Sequence, residues 1–163
     1  MHIEHAIEID APIELVWSKI SDLGDIQNWT KAVKESHYHT EQKSGIGAGR
    51  TCDVPGFGKL IENVLDWDEG KSFRLSLEGL PFFIKEASGG WRLEELGPNR
   101  TRGITTIDVK TGYWPIGALL EKFALGPQFN KTIKGAQREF KAYVEASVEA
   151  PKGAKPSRPK AVA

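Results

Sequence analysis

The feature that most restricts the fold is an apolar stripe near the C-terminus of this 163-residue chain. Its members follow one another at intervals of three or four residues, which is the spacing of one face of an α-helix. The stripe consists of Phe129, Ile133, Ala136, Phe140, Val144 and Val148. It predicts a helix from about Pro127 to about Glu149, roughly 33 Å long, with a shorter helix before it at residues 116–124.

Most of the chain before this helix has the pattern of β-strands. Residues 2–10 alternate between apolar and polar side chains, and Phe73, Leu75 and Leu77 alternate with polar neighbours in the same way. Such alternation is typical of strands with one buried face. Between residues 32 and 112, turns separate six strand-like segments. Residues 13–20 and 25–29 have instead the spacing of two short helices.

This order of elements predicts an α+β fold. About seven strands would form an antiparallel sheet, and the C-terminal helix is the one predicted element long enough to cover its apolar face. A twisted sheet of this size curls around such a helix. Because one helix cannot fill the space that a curled sheet encloses, we expect a cavity able to take a small molecule.

Composition and charge narrow the classes of function. The 22 basic and 22 acidic residues cancel, which argues against a dedicated nucleic-acid-binding protein. The single cysteine, Cys52, excludes an internal disulfide framework, and no apolar run approaches the ~20 residues of a membrane helix. Since no signal peptide is visible, a cytoplasmic protein is expected. Residues 1–149 are predicted to form one domain, and residues 150–163 a disordered basic tail.

Several short motifs resemble those of a known superfamily. They are Ala11-Pro12-x-Glu14-x-Val16-Trp17, Ile26-x-x-Trp29, Gly45-x-Gly47-Ala48-x-Arg50-x-Cys52, Glu62-x-Val64, Gly79-Leu80-Pro81-Phe82 and the isolated Trp91. With the order of elements, they resemble the START-like, Bet v 1-like (SRPBCC) superfamily and its helix-grip fold over residues 1–148. Within that superfamily, the chain is most similar to the polyketide cyclase/dehydrase and lipid-transport group.

The resemblance implies a class of ligand but leaves the activity open. Members of the superfamily commonly bind hydrophobic molecules in the central cavity. We therefore expect a carrier or binding protein for a lipid, a quinone or an aromatic polyketide-like compound, with no cofactor. The alternative is a polyketide cyclase, aromatase or dehydratase that acts in the same cavity, and a third hypothesis is a protein-interaction module.

Glu62 is the candidate catalytic residue. If its strand turns Leu60, Glu62 and Val64 inward, Glu62 is a buried carboxylate that can act as a general acid or base, or anchor a ligand. In the opposite phase, Ile61 and Asn63 face inward and Glu62 lies in solvent. The sequence leaves both phases open.

The predicted ligand cavity has walls from the sheet and from the C-terminal helix. Its residues are Lys34, Glu62, Phe73, Leu75, Leu77, Phe82, Trp91, Phe129, Ile133, Gln137 and Phe140. Because apolar side chains in loops need a reason, we expect Phe57, Leu80 and Pro81 to gate the mouth of the cavity. His37 and His39 share a strand face but have no third ligand, so no metal site is predicted.

The predicted partners follow from the same features. They are one hydrophobic small molecule, no nucleic acid, and at most a peripheral membrane contact through a basic helix face or the basic tail. The basic helix face consists of Lys131, Lys134, Arg138 and Lys141. The oligomeric state is left open.

Overall fold

A long helix lies across one face of an antiparallel sheet in the computed structural model, which describes residues 1–112 and 126–149. The strands are β1 (His2–Ile9), β2 (Glu35–Tyr38), β3 (Gly49–Val54), β4 (Gly58–Asp68), β5 (Ser72–Glu78), β6 (Ile84–Gly97) and β7 (Arg100–Thr111). The helices are α1 (Ile13–Ile20), α2 (Ile26–Trp29) and α3 (Gly126–Glu149), with a 3₁₀ turn (Leu23–Asp25) before α2. The predicted α+β helix-grip fold is confirmed. The predicted helix at residues 116–124 and the predicted tail at residues 150–163 lie outside the described residues.

The sheet is a meander that closes around α3. Its strand order is β1-β7-β6-β5-β4-β3-β2, with every neighbouring pair antiparallel. On the β1 side, Asn130 of α3 lies 2.6 Å from the His5 ring nitrogen Nε2. On the other side, the ring of Phe129 lies 6.3 Å from that of Phe57 in the β3–β4 turn. Because the sheet curls, α3 contacts both β1 and the β3–β4 turn. We call the face of the sheet that α3 covers the inner face.

The C-terminal half of α3 packs into a closed core. Phe140 and Val144 are completely buried, and the Phe140 ring lies 5.0 Å from Trp29 of α2 and 5.1 Å from Trp91 of β6. Burying one such side chain stabilises the fold by about 1.5–3 kcal/mol. This contact fixes the helix against both the sheet and the short helices. None of the described helices combines the length and the apolar character needed to cross a membrane.

A carboxylate in the β4–β5 turn ties α1 to the sheet. The indoles of Trp17 in α1 and Trp67 in β4 donate hydrogen bonds to the two oxygens of Glu69, at 2.8 and 2.7 Å. The two indole rings also pack edge to face, 5.3 Å apart. These hydrogen bonds, first from Trp67 and then from Trp17, lower the pKa of Glu69.

Replacing Glu69 by Gln is expected to lower the melting temperature at neutral pH. Glutamine has one oxygen and one NH₂ group, so one of the two indole N–H groups would face an NH₂ donor and lose its acceptor. Since folding lowers the pKa of Glu69, its stabilisation is present above the pKa of the unfolded chain and is lost as the pH falls through the folded pKa. The difference between wild type and Glu69→Gln should therefore shrink in acid. Thermal unfolding followed by tryptophan fluorescence measures it, with the exposed Glu4→Gln as control. A difference that grows in acid would contradict this assignment.

Candidate functional site

Four polar side chains lie together on the inner face where β2, β3 and β4 meet. Arg50 and Glu62 are direct partners across β3 and β4, and Ser36 and Cys52 are direct partners across β2 and β3. Each of the four residues is at most 7% exposed. We call Ser36, Arg50, Cys52 and Glu62 the buried cluster.

The centre of the buried cluster is an ion pair. Arg50 donates a hydrogen bond from Nε to Oε2 of Glu62, and a second from Nη1 to the backbone oxygen of Leu23, at 2.6 Å. Burial by itself lowers the pKa of Arg50, because it disfavours the charged guanidinium. The charge of the Glu62 carboxylate raises the pKa of Arg50, and the net result is a pKa above the usual value. The guanidinium therefore stays charged, and its bond to Leu23 joins the sheet to the 3₁₀ turn.

The thiol of Cys52 completes the cluster as a neutral group. Its sulfur lies 3.4 Å from Oε2 of Glu62 and 3.7 Å from Oγ of Ser36. Burial, with a smaller contribution from the charge of Glu62, raises the pKa of Cys52 to about 11, against the opposing effect of Arg50. Because the thiolate is the reactive form, a thiol with this pKa is a poor nucleophile at neutral pH.

The structure resolves the phase of β4 that the sequence left open. Glu62 and Val64 are buried, 7% and 6% exposed, whereas Ile61 and Leu65 are 39% and 47% exposed. Glu62 is therefore on the inner face. Leu65 is displaced from the regular pairing, because the β4–β5 register shifts between Val64 and Asp66.

An apolar strip continues from the buried cluster across the inner face. Leu60 lies two residues before Glu62 on β4, and Leu77 of β5 pairs with Glu62. Gly89 and Ile107 are partners across β6 and β7. These four residues, which we call the apolar strip, are only partly buried. A Cβ atom on Gly89 would lie 3.6 Å from side-chain carbons of both Leu77 and Ile107, so the strip is continuous at this point.

Polar contacts attach α3 beside the apolar strip. The amide nitrogen of Gln137 donates to the backbone oxygen of His5 at 2.8 Å and to Oγ1 of Thr105 at 2.9 Å. Asn130, whose side chain contacts the ring of His5, also donates a hydrogen bond to the backbone oxygen of Gly126 at 2.7 Å. These bonds hold the N-terminal half of α3 along β1, at the opposite side of the sheet from the buried cluster.

The predicted cavity residues separate into two groups. Phe73, Leu75, Ile133, Gln137 and Phe140 are buried, and Phe73, Leu75 and Phe140 belong to the closed core. Leu77, Trp91 and Phe129 are partly buried. Glu62 and Leu77 are brought together by direct pairing, so the sheet places the candidate acid next to the apolar strip.

The remaining predicted site residues lie nearer the surface. Lys34 is exposed, and it is Arg50, not Lys34, that pairs with Glu62. Phe82 is 85% exposed, and Phe57 is 41% exposed while it contacts Phe129. Leu80 and Pro81 are partly buried. The three proposed gate residues thus lie in the β3–β4 and β5–β6 connections, and their gating role stays a prediction.

Sequence reasoning missed the role of Arg50. It appeared only as part of a motif, although it lies two residues from Ala48 and from Cys52, which are both buried. An arginine in phase with buried small residues is a signal for an inward charge that needs a partner. No metal site was predicted at His37 and His39, and the ring of His39 contacts Thr51 and Asn63. The described residues hold no cluster of three or more metal-ligating side chains.

An open depression of about 830 Å³ lies mainly on the outer face of the sheet. The polar side chains of its lining carry both charges, among them Arg74, Lys110, Glu86 and Asp108, and no residue of α3 lines it. His2 contacts Asp108 there at 2.6 Å, with both side chains at least half exposed. Leu77 is the one predicted cavity residue in the lining of this depression. An open surface of mixed charge suits no hydrophobic ligand, so we distinguish the depression from the predicted cavity.

Solved structures share this architecture. A crystal structure of the Zhui aromatase/cyclase from Streptomyces sp. R1128 superposes with a TM-score of 0.78 at 18% identity, covering 94% of this chain and 99% of that chain. A START superfamily protein from Mycobacterium smegmatis gives 0.67 at 19% identity, covering 91% and 97%. The protein XoxI from Bacillus cereus gives 0.71 at 15% identity, covering 92% and 99%. At these identities the likeness establishes the fold.

Sequence comparison identifies the family. No curated protein matches the chain closely enough to name a specific relative. Residues 1–145 match the family described as polyketide cyclase/dehydrase and lipid transport. This match covers nearly all of the described fold, including the buried cluster and most of α3. The chain therefore belongs to the polyketide cyclase/dehydrase and lipid-transport family.

Proposed function

We propose that the protein binds one hydrophobic small molecule between the apolar strip and α3, as a carrier or binding protein. The observation that supports this most is the incomplete burial of the strip. Leu60, Leu77 and Ile107 lie on the face that α3 covers, yet they keep exposed surface, whereas Leu75 on the same face is 3% exposed. Apolar surface that faces inward without being buried is what an apolar ligand would cover.

The buried cluster supplies a polar end to this ligand space. The hydrogen bonds of Glu62 within the described residues all go to Oε2, and those of Arg50 leave from Nε and Nη1. One carboxylate oxygen of Glu62 and one nitrogen of Arg50 are thus available to a ligand hydroxyl or carbonyl group. A lipid, a quinone or an aromatic polyketide-like compound combines such a group with an apolar body.

Ligand retention and stabilisation test this proposal. Native mass spectrometry of freshly purified protein is expected to show one bound small molecule, whose class an organic extract identifies. For protein freed of that ligand, adding a matching compound at 100 times its Kd should stabilise the fold by about 2.7 kcal/mol. If no lipid, quinone or aromatic polyketide raises the melting temperature at near-millimolar concentration, the binding proposal is wrong.

The second candidate is a cyclase, aromatase or dehydratase that acts in the same space. The observation that favours it is the place of Glu62, a carboxylate on the inner face beside the apolar strip where it can transfer a proton. For an enzyme, Glu62→Gln should retain ligand binding and lose turnover of a polyketide-type substrate, while the exposed Glu78→Gln keeps it. Unchanged turnover in Glu62→Gln would remove this role.

A further inference from the structure

We propose that the bound molecule carries a hydroxyl group, and that this one group bridges Arg50 and Glu62. The hydroxyl oxygen would accept a hydrogen bond from Nη2 of Arg50, and the hydroxyl hydrogen would be donated to Oε1 of Glu62. This inference rests on the proposed function and narrows it, because the ligand becomes a neutral apolar alcohol or phenol. Fatty acids, phospholipids and quinones without a hydroxyl group would bind more weakly.

The ion pair of Arg50 and Glu62 is hydrogen-bonded on one side only. A guanidinium can present two parallel N–H groups to the two oxygens of a carboxylate. Here Nε of Arg50 donates to Oε2 of Glu62, and Nη1 donates to the backbone oxygen of Leu23. The parallel bond from Nη2 to Oε1 is not formed, and neither atom has another partner within residues 1–112 and 126–149. We call Nη2 of Arg50 and Oε1 of Glu62 the open side of the pair.

The rest of the buried cluster leaves the open side unfilled. The sulfur of Cys52 contacts Oε2 of Glu62, the oxygen that already accepts from Arg50, and Oγ of Ser36. In the part of the chain that the structure describes, every fully enclosed side-chain nitrogen or oxygen has a hydrogen-bond partner. Since the two atoms of the open side have none, they are not enclosed, and they border open space.

The surface next to the open side is apolar. Leu77 pairs with Glu62 across β5 and β4, and Leu60 lies two residues before Glu62 on the same face of β4. Both leucines belong to the apolar strip and are only partly buried. A molecule whose polar group reaches the open side therefore places its apolar body over the strip.

A hydroxyl group suits both atoms of the open side because it accepts one hydrogen bond and donates another. A ketone, a quinone oxygen or an ether accepts from Arg50 but leaves Oε1 of Glu62 without a donor, and an unpaired buried acceptor weakens binding. A carboxylate or a phosphate would add a second negative charge beside Glu62, whose charge already balances that of Arg50. An ammonium group would be repelled by Arg50 in the same way.

Isothermal titration calorimetry with three probes of similar shape tests this selection. The probes are para-hexylphenol, para-hexylanisole and para-hexylbenzoate, added to the full chain freed of its own ligand. We expect para-hexylphenol to bind about tenfold to a hundredfold more tightly than para-hexylanisole, in which a methyl group replaces the hydroxyl hydrogen. Because of its charge, para-hexylbenzoate should also bind at least about tenfold more weakly than the phenol.

Two variants of the ion pair assign the selection to the open side. Arg50→Met with Glu62→Leu removes both atoms and should bind the phenol and the anisole equally, with thermal unfolding as the check on the fold. Glu62→Gln removes one charge and leaves that of Arg50, so it should bind para-hexylbenzoate about tenfold more tightly than wild type does. The control is the exposed Glu78→Gln, the same charge change next to Leu77 but on the outer face, which should leave all three affinities unchanged.

The outcomes separate this inference from the proposed function. Equal binding of the phenol and the anisole by wild type overturns the inference, because a water molecule would then fill the open side whichever ligand is bound. The proposed function stands in that case, since a hydrophobic molecule is still bound. Tighter binding of the benzoate than of the phenol by wild type also overturns the inference alone. Absence of binding by all three probes overturns it too, whereas the molecule retained in native mass spectrometry decides the proposed function.

Discussion

Replacing Glu62 by Leu is expected to lower the free energy of unfolding by about 3–5 kcal/mol. The variant leaves the Arg50 guanidinium buried beside an apolar side chain, with the backbone oxygen of Leu23 as its remaining partner. An uncompensated buried charge is among the most destabilising single changes in a protein interior. Urea denaturation measures the loss, and it should be the largest of any substitution discussed here.

A double variant separates the charge from the packing. Arg50→Met with Glu62→Leu removes both charges and should recover most of the stability lost in Glu62→Leu, because a buried pair replaced by apolar side chains is often neutral. The exposed pair Lys110–Glu86 is the matched control, and Glu86→Leu should cost at most about 1 kcal/mol. A cost for Glu62→Leu as small as that of the control would contradict the buried ion pair.

Replacing Gly89 by Leu is expected to weaken ligand binding by about tenfold to a hundredfold. The new side chain would enter the space over the apolar strip between Leu77 and Ile107. Its Cβ would meet neighbouring atoms at 3.5 Å or more, an ordinary contact distance, so the fold should be retained. Titration with the fluorescent apolar probe anilinonaphthalene sulfonate measures the affinity, and circular dichroism checks the fold.

Thr106→Leu is the matched control for Gly89→Leu. Thr106 is next to Ile107 on β7 and therefore turns its side chain to the outer face. The same leucine added there should leave probe binding unchanged. Loss of binding in Thr106→Leu, or full binding in Gly89→Leu, would show that the probe does not occupy the space above the apolar strip.

The spacing of apolar residues predicted the architecture, because each helix or strand contains several residues in the same phase. The stripe from Phe129 to Val148 has several members in helical phase, and it corresponds to α3, Gly126–Glu149. Strands β2 to β7 likewise follow one another as a meander, so local alternation and turn residues were enough to predict their order. The pairing of β1 with β7 joins segments far apart in the chain, and local patterns did not predict it. The family resemblance agreed with the same order and is confirmed by the match over residues 1–145.

The site was less predictable because it depends on register. On β4, Ile61 and Leu65 are as apolar as Leu60 and Val64, so composition alone could not decide which phase faces inward. The deciding contact joins Glu62 to Arg50, which are neighbours only after β3 and β4 pair. The contact between Phe57 and Phe129 likewise joins a turn to a helix far along the chain.

Methyl NMR during a ligand titration tests the central claim most directly. A bound hydrophobic molecule is expected to shift the methyl signals of Leu60 and Ile107 on the inner face, and of Ile133 on α3. The signals of Leu65 and Leu96, which are 47% and 40% exposed, should stay unchanged. Shifts confined to Leu65 and the outer depression, with Leu60, Ile107 and Ile133 unmoved, would contradict binding between the sheet and α3.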